Sequence, residues 1–136
     1  MCYQSSWGEI ISWNRRIKTI KRNIKEILSW KILFLEETHE EPYRIDRMLN
    51  SLRLAGVFDE ISGVIFGQFN DCNAEKPQES FTLEEVVRHQ LKGYSFPVIW
   101  GAPIGHVKDK WTLPIGMQVT MNAEELSLKL MRSAVS

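Results

Sequence analysis

The sequence predicts an α/β fold, a small mixed β-sheet domain with two main helices, on three observations. Three short apolar runs of buried-strand type stand at residues 32–35, 63–67 and 96–100. The stretches between them carry apolar residues at helical spacing. Two segments in which apolar and polar residues alternate then close the chain. With 136 residues there is room for one ordinary domain, since single units run at roughly 100–200 residues.

Residues 1–30 are expected to stand apart from this pattern. They hold Arg15, Arg16, Lys18, Lys21, Arg22 and Lys25 against Glu9 and Glu26. Ile10, Trp13, Ile17, Ile20, Ile24 and Ile27 follow one another at steps of three and four, which predicts an N-terminal basic amphipathic helix. It would pack on the domain or on a partner; a membrane-surface or targeting helix is the alternative.

From residue 31 the elements alternate. Ile32-Leu33-Phe34-Leu35 is a fully apolar run ending at Glu36 and Glu37. Parallel strands buried on both faces read this way. After a polar loop with Pro42, the residues Ile45, Met48, Leu49 and Leu52 trace one helix face, and Gly56 is placed to stop the helix. Gly63-Val64-Ile65-Phe66-Gly67 is the second strand, followed by a polar loop over 70–80. Thr82 with Glu85 matches a capping box, with Phe81 able to staple onto Val86, so a helix runs toward Gly93. Pro97 within the third run indicates a strand start or a sheet edge. Met117, Val119 and Met121, then Leu126, Leu128 and Leu130, predict a C-terminal hairpin turning at Asn122-Ala123-Glu124.

Composition narrows the function classes. Seventeen basic residues balance seventeen acidic ones, so no global field favours nucleic acid. No apolar run reaches the roughly 18–20 residues of a membrane span, and the N-terminus lacks a secretory signal's apolar segment. A cytoplasmic domain is expected. Cys2 and Cys72 make neither a disulfide framework nor a zinc site. The absence of metal-ligand spacing, a phosphate loop or a dinucleotide fingerprint leaves no metal or cofactor implied.

Two places could carry chemistry. Glu36 and Glu37 end an interior strand, where a carboxylate needs a partner; a salt bridge to Arg44 or Arg47 is the ordinary alternative. His106 lies in the glycine-rich loop Gly101-Ala102-Pro103-Ile104-Gly105-His106, where its pKa suits proton transfer. His39 and His89 read as solvated surface groups. Glu36 with His106 would make an acid–imidazole pair, yet no serine sits in a Gly-x-Ser-x-Gly turn to complete it. Cys72 could serve as a thiol nucleophile or as a small loop anchor.

Leu33-Phe34-Leu35-Glu36-Glu37 followed by Glu41-Pro42-Tyr43-Arg44-Ile45-Asp46-Arg47-Met48-Leu49 resembles the C-terminal domain of the LD-carboxypeptidases. These serine peptidases of murein recycling are related to the microcin C self-immunity proteins. Gly63-Val64-Ile65-Phe66-Gly67-Gln68-Phe69 with Cys72, Pro97-Val98, Gly105-His106 and Leu113-Pro114-Ile115-Gly116 follow in the same order. The resemblance covers about residues 31–130, which makes residues 31–136 the family-like domain and 1–30 an atypical addition.

It implies that Glu36 and His106 are the acid and base of a Ser-Glu-His triad, with Glu37 in place of Glu36 if the register slips by one. The serine would come from a separate nucleophile domain, and the substrate would be the L,D-peptide bond of a muropeptide. No cofactor is implied. These 136 residues carry no such serine turn, so by themselves they are expected to be inactive and to self-associate over apolar surface. The alternative function is a non-enzymatic interaction domain that binds a partner through its N-terminal helix.

Overall fold

The structure, a computed structural model, describes residues 5–12, 26, 28–104, 108, 112–113 and 115–131. Its strands are β1 (Ser5–Ser12), β2 (Lys31–Thr38), β3 (Gly63–Asn70), β4 (Val98–Ile99), β5 (Gln118–Asn122) and β6 (Ser127–Leu130). They form one sheet in the order β4-β3-β2-β1-β5-β6. The first four run parallel, and β5 and β6 are antiparallel to their neighbours. The mixed α/β sheet and the C-terminal hairpin therefore appear as the sequence predicts.

The connections carry the helices α1 (Pro42–Leu54), a short α2 (Val57–Glu60) and α3 (Leu83–Gln90). Pro42 opens α1, where a missing N–H costs nothing. Gly56, at φ +76°, ends it in the left-handed conformation that glycine adopts without penalty. Thr82 caps α3 by accepting from the Glu85 amide at 3.3 Å, while the Glu85 carboxylate accepts from the Thr82 amide at 2.7 Å. The box is formed as expected, but Phe81 leaves 73% of its surface exposed instead of stapling firmly onto Val86.

Side chains alternate across β2 and sort into two cores. Leu33 and Leu35 join Ile45, Leu49, Leu52, Phe58 and Val86 beneath the helices. Ile32 and Phe34 join Ile65, Ile99, Ile104, Val119 and Met121 on the other face. Because β2, β3 and β4 step across the sheet in one direction, their helical crossovers fall on one face. Burial on both faces explains why runs 32–35 and 63–67 read as continuous apolar stretches. The run over 96–100 yields only Val98–Ile99, at the sheet edge that Pro97 indicated.

The first part of the segment before residue 31 differs from expectation, whereas Glu26 and Leu28 near its end are helical. Ser5–Ser12 is a strand, hydrogen-bonded in parallel to β2 and antiparallel to β5, so Ile10 belongs to the sheet and not to a helix. Tertiary pairing on both sides outweighs the local helical spacing. Gly8 of β1 lies against the Trp30 carbonyl, which leaves no room there for a Cβ. Residues 13–25 and 27, which hold the remainder of the expected helix, lie outside the described residues.

Candidate active site

The parallel strands end together, and the loops that follow β2, β3 and β4 gather at their carboxyl edge. Open α/β sheets place their ligands at this edge. Glu36 lies on β2 at this edge and is exposed, whereas Ile32, Leu33, Phe34 and Leu35 before it are buried. Alternation assigns it to the face of Ile32 and Phe34.

The ladder is irregular beside it. Leu35 pairs with Phe66 and Glu37 with Phe69, so Glu36 alone faces both Gly67 and Gln68. The extra residue in β3 makes a bulge, which locally kinks and twists the strand and re-aims side chains.

The arginine salt bridges expected at the strand-end carboxylates do not form among the described residues: the Arg44 guanidinium meets Glu40 at 3.2 Å and the Tyr43 hydroxyl at 3.0 Å, and Arg47 makes no ion pair with Glu36 or Glu37. Glu37 turns back on its own chain, its carboxylate accepting from the Thr38 amide at 3.0 Å.

The loop after β4 is fastened to the end of β3. The Ala102 amide donates to Phe66 at 3.0 Å, and the Gln68 amide donates to the Ile104 carbonyl at 3.1 Å. The Gln68 side chain donates to the carbonyls of Gly101 at 2.9 Å and Ala102 at 3.2 Å. Trp100 stacks on Phe69, with ring centroids 5.6 Å apart and an interplanar angle of 13°, and also meets Phe66 at 5.0 Å. Residues 101–104 are thus held at the strand end that Glu36 faces. His106 lies two positions further on, outside the described residues.

Gln68 stands within the family-like run 63–69 and Trp100 ends the third apolar run, but neither is marked there as a site residue. Only their long-range contacts identify them, and sequence reasoning passed over both.

Cys72 is buried and donates to the carbonyls of Asn70 at 3.3 Å and Glu37 at 3.6 Å. Burial pushes its thiol pKa up, with the Glu37 and Glu40 carboxylates acting in the same direction. A thiol in that state holds little thiolate at neutral pH. The anchor role fits; the nucleophile role does not.

His39 and Asp71, both at positive φ, pair at 3.3 Å on the surface where the loops after β2 and β3 begin. His89 is exposed on α3. Among the described residues no three acidic, histidine or cysteine side chains form a group that could hold a metal ion, and no helix is long and apolar enough to cross a membrane.

Residues 16–121 match the family model described as the LD-carboxypeptidase C-terminal domain, a match that begins inside the segment expected to be atypical. The chain is 37% identical over 95 residues to a probable murein peptide carboxypeptidase of Bacillus subtilis, covering 70% of this chain and 30% of that protein. It is 30% identical over 113 residues to the microcin C7 self-immunity protein of Escherichia coli, covering 82% and 32%.

The solved immunity protein superposes with a TM-score of 0.81 at 22% identity over 98% of this chain and 40% of its own, which establishes the fold. One of its solved forms is a complex with aspartyl sulfamoyl adenosine. The muramoyltetrapeptide carboxypeptidase of Oxalobacter formigenes superposes with a TM-score of 0.72 at 25% identity, over 93% of this chain and 45% of its own. The chain spans about a third of the length of the curated relatives it matches.

Proposed function

Since the chain belongs to the LD-carboxypeptidase family, as its C-terminal domain, we propose that it supplies the acid and the imidazole of a Ser-Glu-His triad. Glu36 is the acid and His106 the base, and the serine stands on a nucleophile domain of the kind that completes the longer relatives. The observation that carries this reading is the position of Glu36, exposed at the carboxyl end of a buried parallel strand. It faces the β3 residues that fasten the loop leading toward His106.

In this reading one ring nitrogen of His106 takes the proton from the serine hydroxyl as its oxygen attacks the carbonyl carbon of an L,D-peptide bond. Glu36 accepts a hydrogen bond from the other ring N–H. That fixes the tautomer and stabilises the imidazolium as it forms. His106 then delivers the proton to the departing amine, releasing a D-amino acid and leaving an acyl-serine. Water, deprotonated by the same imidazole, hydrolyses the ester and restores the serine. A muropeptide tetrapeptide is the substrate class.

The 136 residues by themselves release no D-alanine. The test places them in the Bacillus subtilis relative in exchange for the matching segment and follows D-alanine release from a tetrapeptide. Activity in the chimaera is expected, with a fall of at least about 10³-fold in Glu36→Ala and in His106→Ala, since loss of a triad member typically costs 10⁴-fold or more. Turnover that survives both substitutions, or release by the unfused chain, sinks the assignment.

A further inference from the structure

We propose that Gln68 is a positioning residue for the catalytic imidazole, a role that rests on the triad reading above. The side-chain amide of glutamine has two N–H donors. Here they reach two consecutive carbonyls, Gly101 at 2.9 Å and Ala102 at 3.2 Å. The backbone N–H of the same residue takes the Ile104 carbonyl at 3.1 Å. One residue of β3 therefore serves three carbonyls of the loop that leads toward His106.

Its place in the sheet gives this clamp its purpose. Gln68 belongs to the bulge that Glu36 faces, so the loop is tied to the ladder position opposite the proposed acid. The same bulge brings the loop so close to Gly67 that a Cβ there would lie 2.8 Å from the Ile104 carbonyl oxygen. The ordinary β-ladder would set Glu36 against one residue. The bulge sets it against two, of which one yields space to the loop and the other grips it. A triad tolerates little displacement, because misplacement by about 1 Å can cost 10²-fold in rate. In the triad reading Gln68 acts on the separation of acid and base through the loop backbone it grips.

Coupling between the two groups reads this directly. The His106 imidazole is titrated by NMR in the full chain, with and without Glu36→Gln, in three backgrounds: Gln68, Gln68→Met and Gln68→Lys. A carboxylate beside an imidazole favours the charged form, so Glu36→Gln lowers the His106 pKa, by about one unit in the native background. Methionine keeps the length of the side chain and loses both donors, and the shift is expected to shrink by more than half. Lysine restores donors to the carbonyls and is expected to recover it.

The His39 and His89 signals report whether each variant is folded; Gln68→Ala replaces the methionine variant should that one unfold. A shift as large in the donor-free background as in the native one overturns the positioning role and leaves the triad standing. No shift in the native background overturns the triad reading itself, and the positioning role with it.

Discussion

Gly67 and Ile104 approach so closely that a methyl group on Gly67 would lie 2.8 Å from the Ile104 carbonyl oxygen and 3.0 Å from the Phe34 ring. The first neighbour is backbone, so relief requires the loop to move and not just a side chain to rotate. Gly67→Ala is accordingly expected to destabilise the chain by about 1–3 kcal/mol, the usual range for overpacking. Urea denaturation measures it. A midpoint equal to that of the native chain shows that the loop stands clear of β3.

Glu36 is exposed, so it contributes little to stability whatever it does chemically. Glu36→Gln should leave the unfolding free energy within about 0.5 kcal/mol of the native value, as for surface substitutions generally. The same change in the chimaera should remove activity. A large loss of stability instead assigns the carboxylate a structural partner.

Cys72 is expected to react slowly with a thiol reagent in the folded chain at pH 7 and rapidly in denaturant, because the raised pKa and burial both withhold thiolate. Its folded pKa lies above the unfolded one, so its contribution to stability is whole below the unfolded value and is lost as pH rises through the folded one. Fast labelling of the native chain contradicts this. Cys72→Ala should leave chimaera turnover unchanged.

The capping box gives a second, opposite pH signature. Hydrogen bonds from the Thr82 amide and hydroxyl hold the Glu85 carboxyl below its ordinary value. Its stabilising effect is present above the unfolded pKa of about 4.3 and is lost as pH falls through the depressed folded value. Thr82→Ala removes a cap and should cost about 1 kcal/mol at pH 7, with a smaller cost once Glu85 is protonated. Stability that is independent of Thr82 at every pH rules the box out as a determinant.

These cases show what the linear sequence discloses. Thr82 and Glu85 are three residues apart, and Gly56 follows the last turn of α1, so local chemistry exposes both. The two-sided burial of β2 and β3 is equally visible, because every residue from Ile32 to Leu35 is apolar. β1 is not visible in this way: its neighbours are residues 31–34 and 118–122, and nothing within Ser5–Ser12 announces them. The four-residue α2 was missed for a related reason, since it is too short to show a period. At the site, Glu36 is marked by the abrupt end of an apolar run. The bulge opposite it and the grip of Gln68 depend on pairings 31 to 36 positions away in the chain, at roughly the scale where residue-type patterns carry no register.

The place of β1 in the sheet also bears on how the molecule is assembled. It is the seam between the parallel strands and the antiparallel pair, touching β2 on one side and β5 on the other. A ribosome that has delivered everything through β4 has produced the helices and both cores' central strands, but the seam still lacks one partner until residues 118–122 emerge. Joining the first strand to the fifth closes a loop of about a hundred residues, a costly and slow kind of contact. The final hairpin therefore acts as the latch of the sheet, and in pulse-labelled hydrogen exchange the amides it shares with β1 are expected to gain protection last.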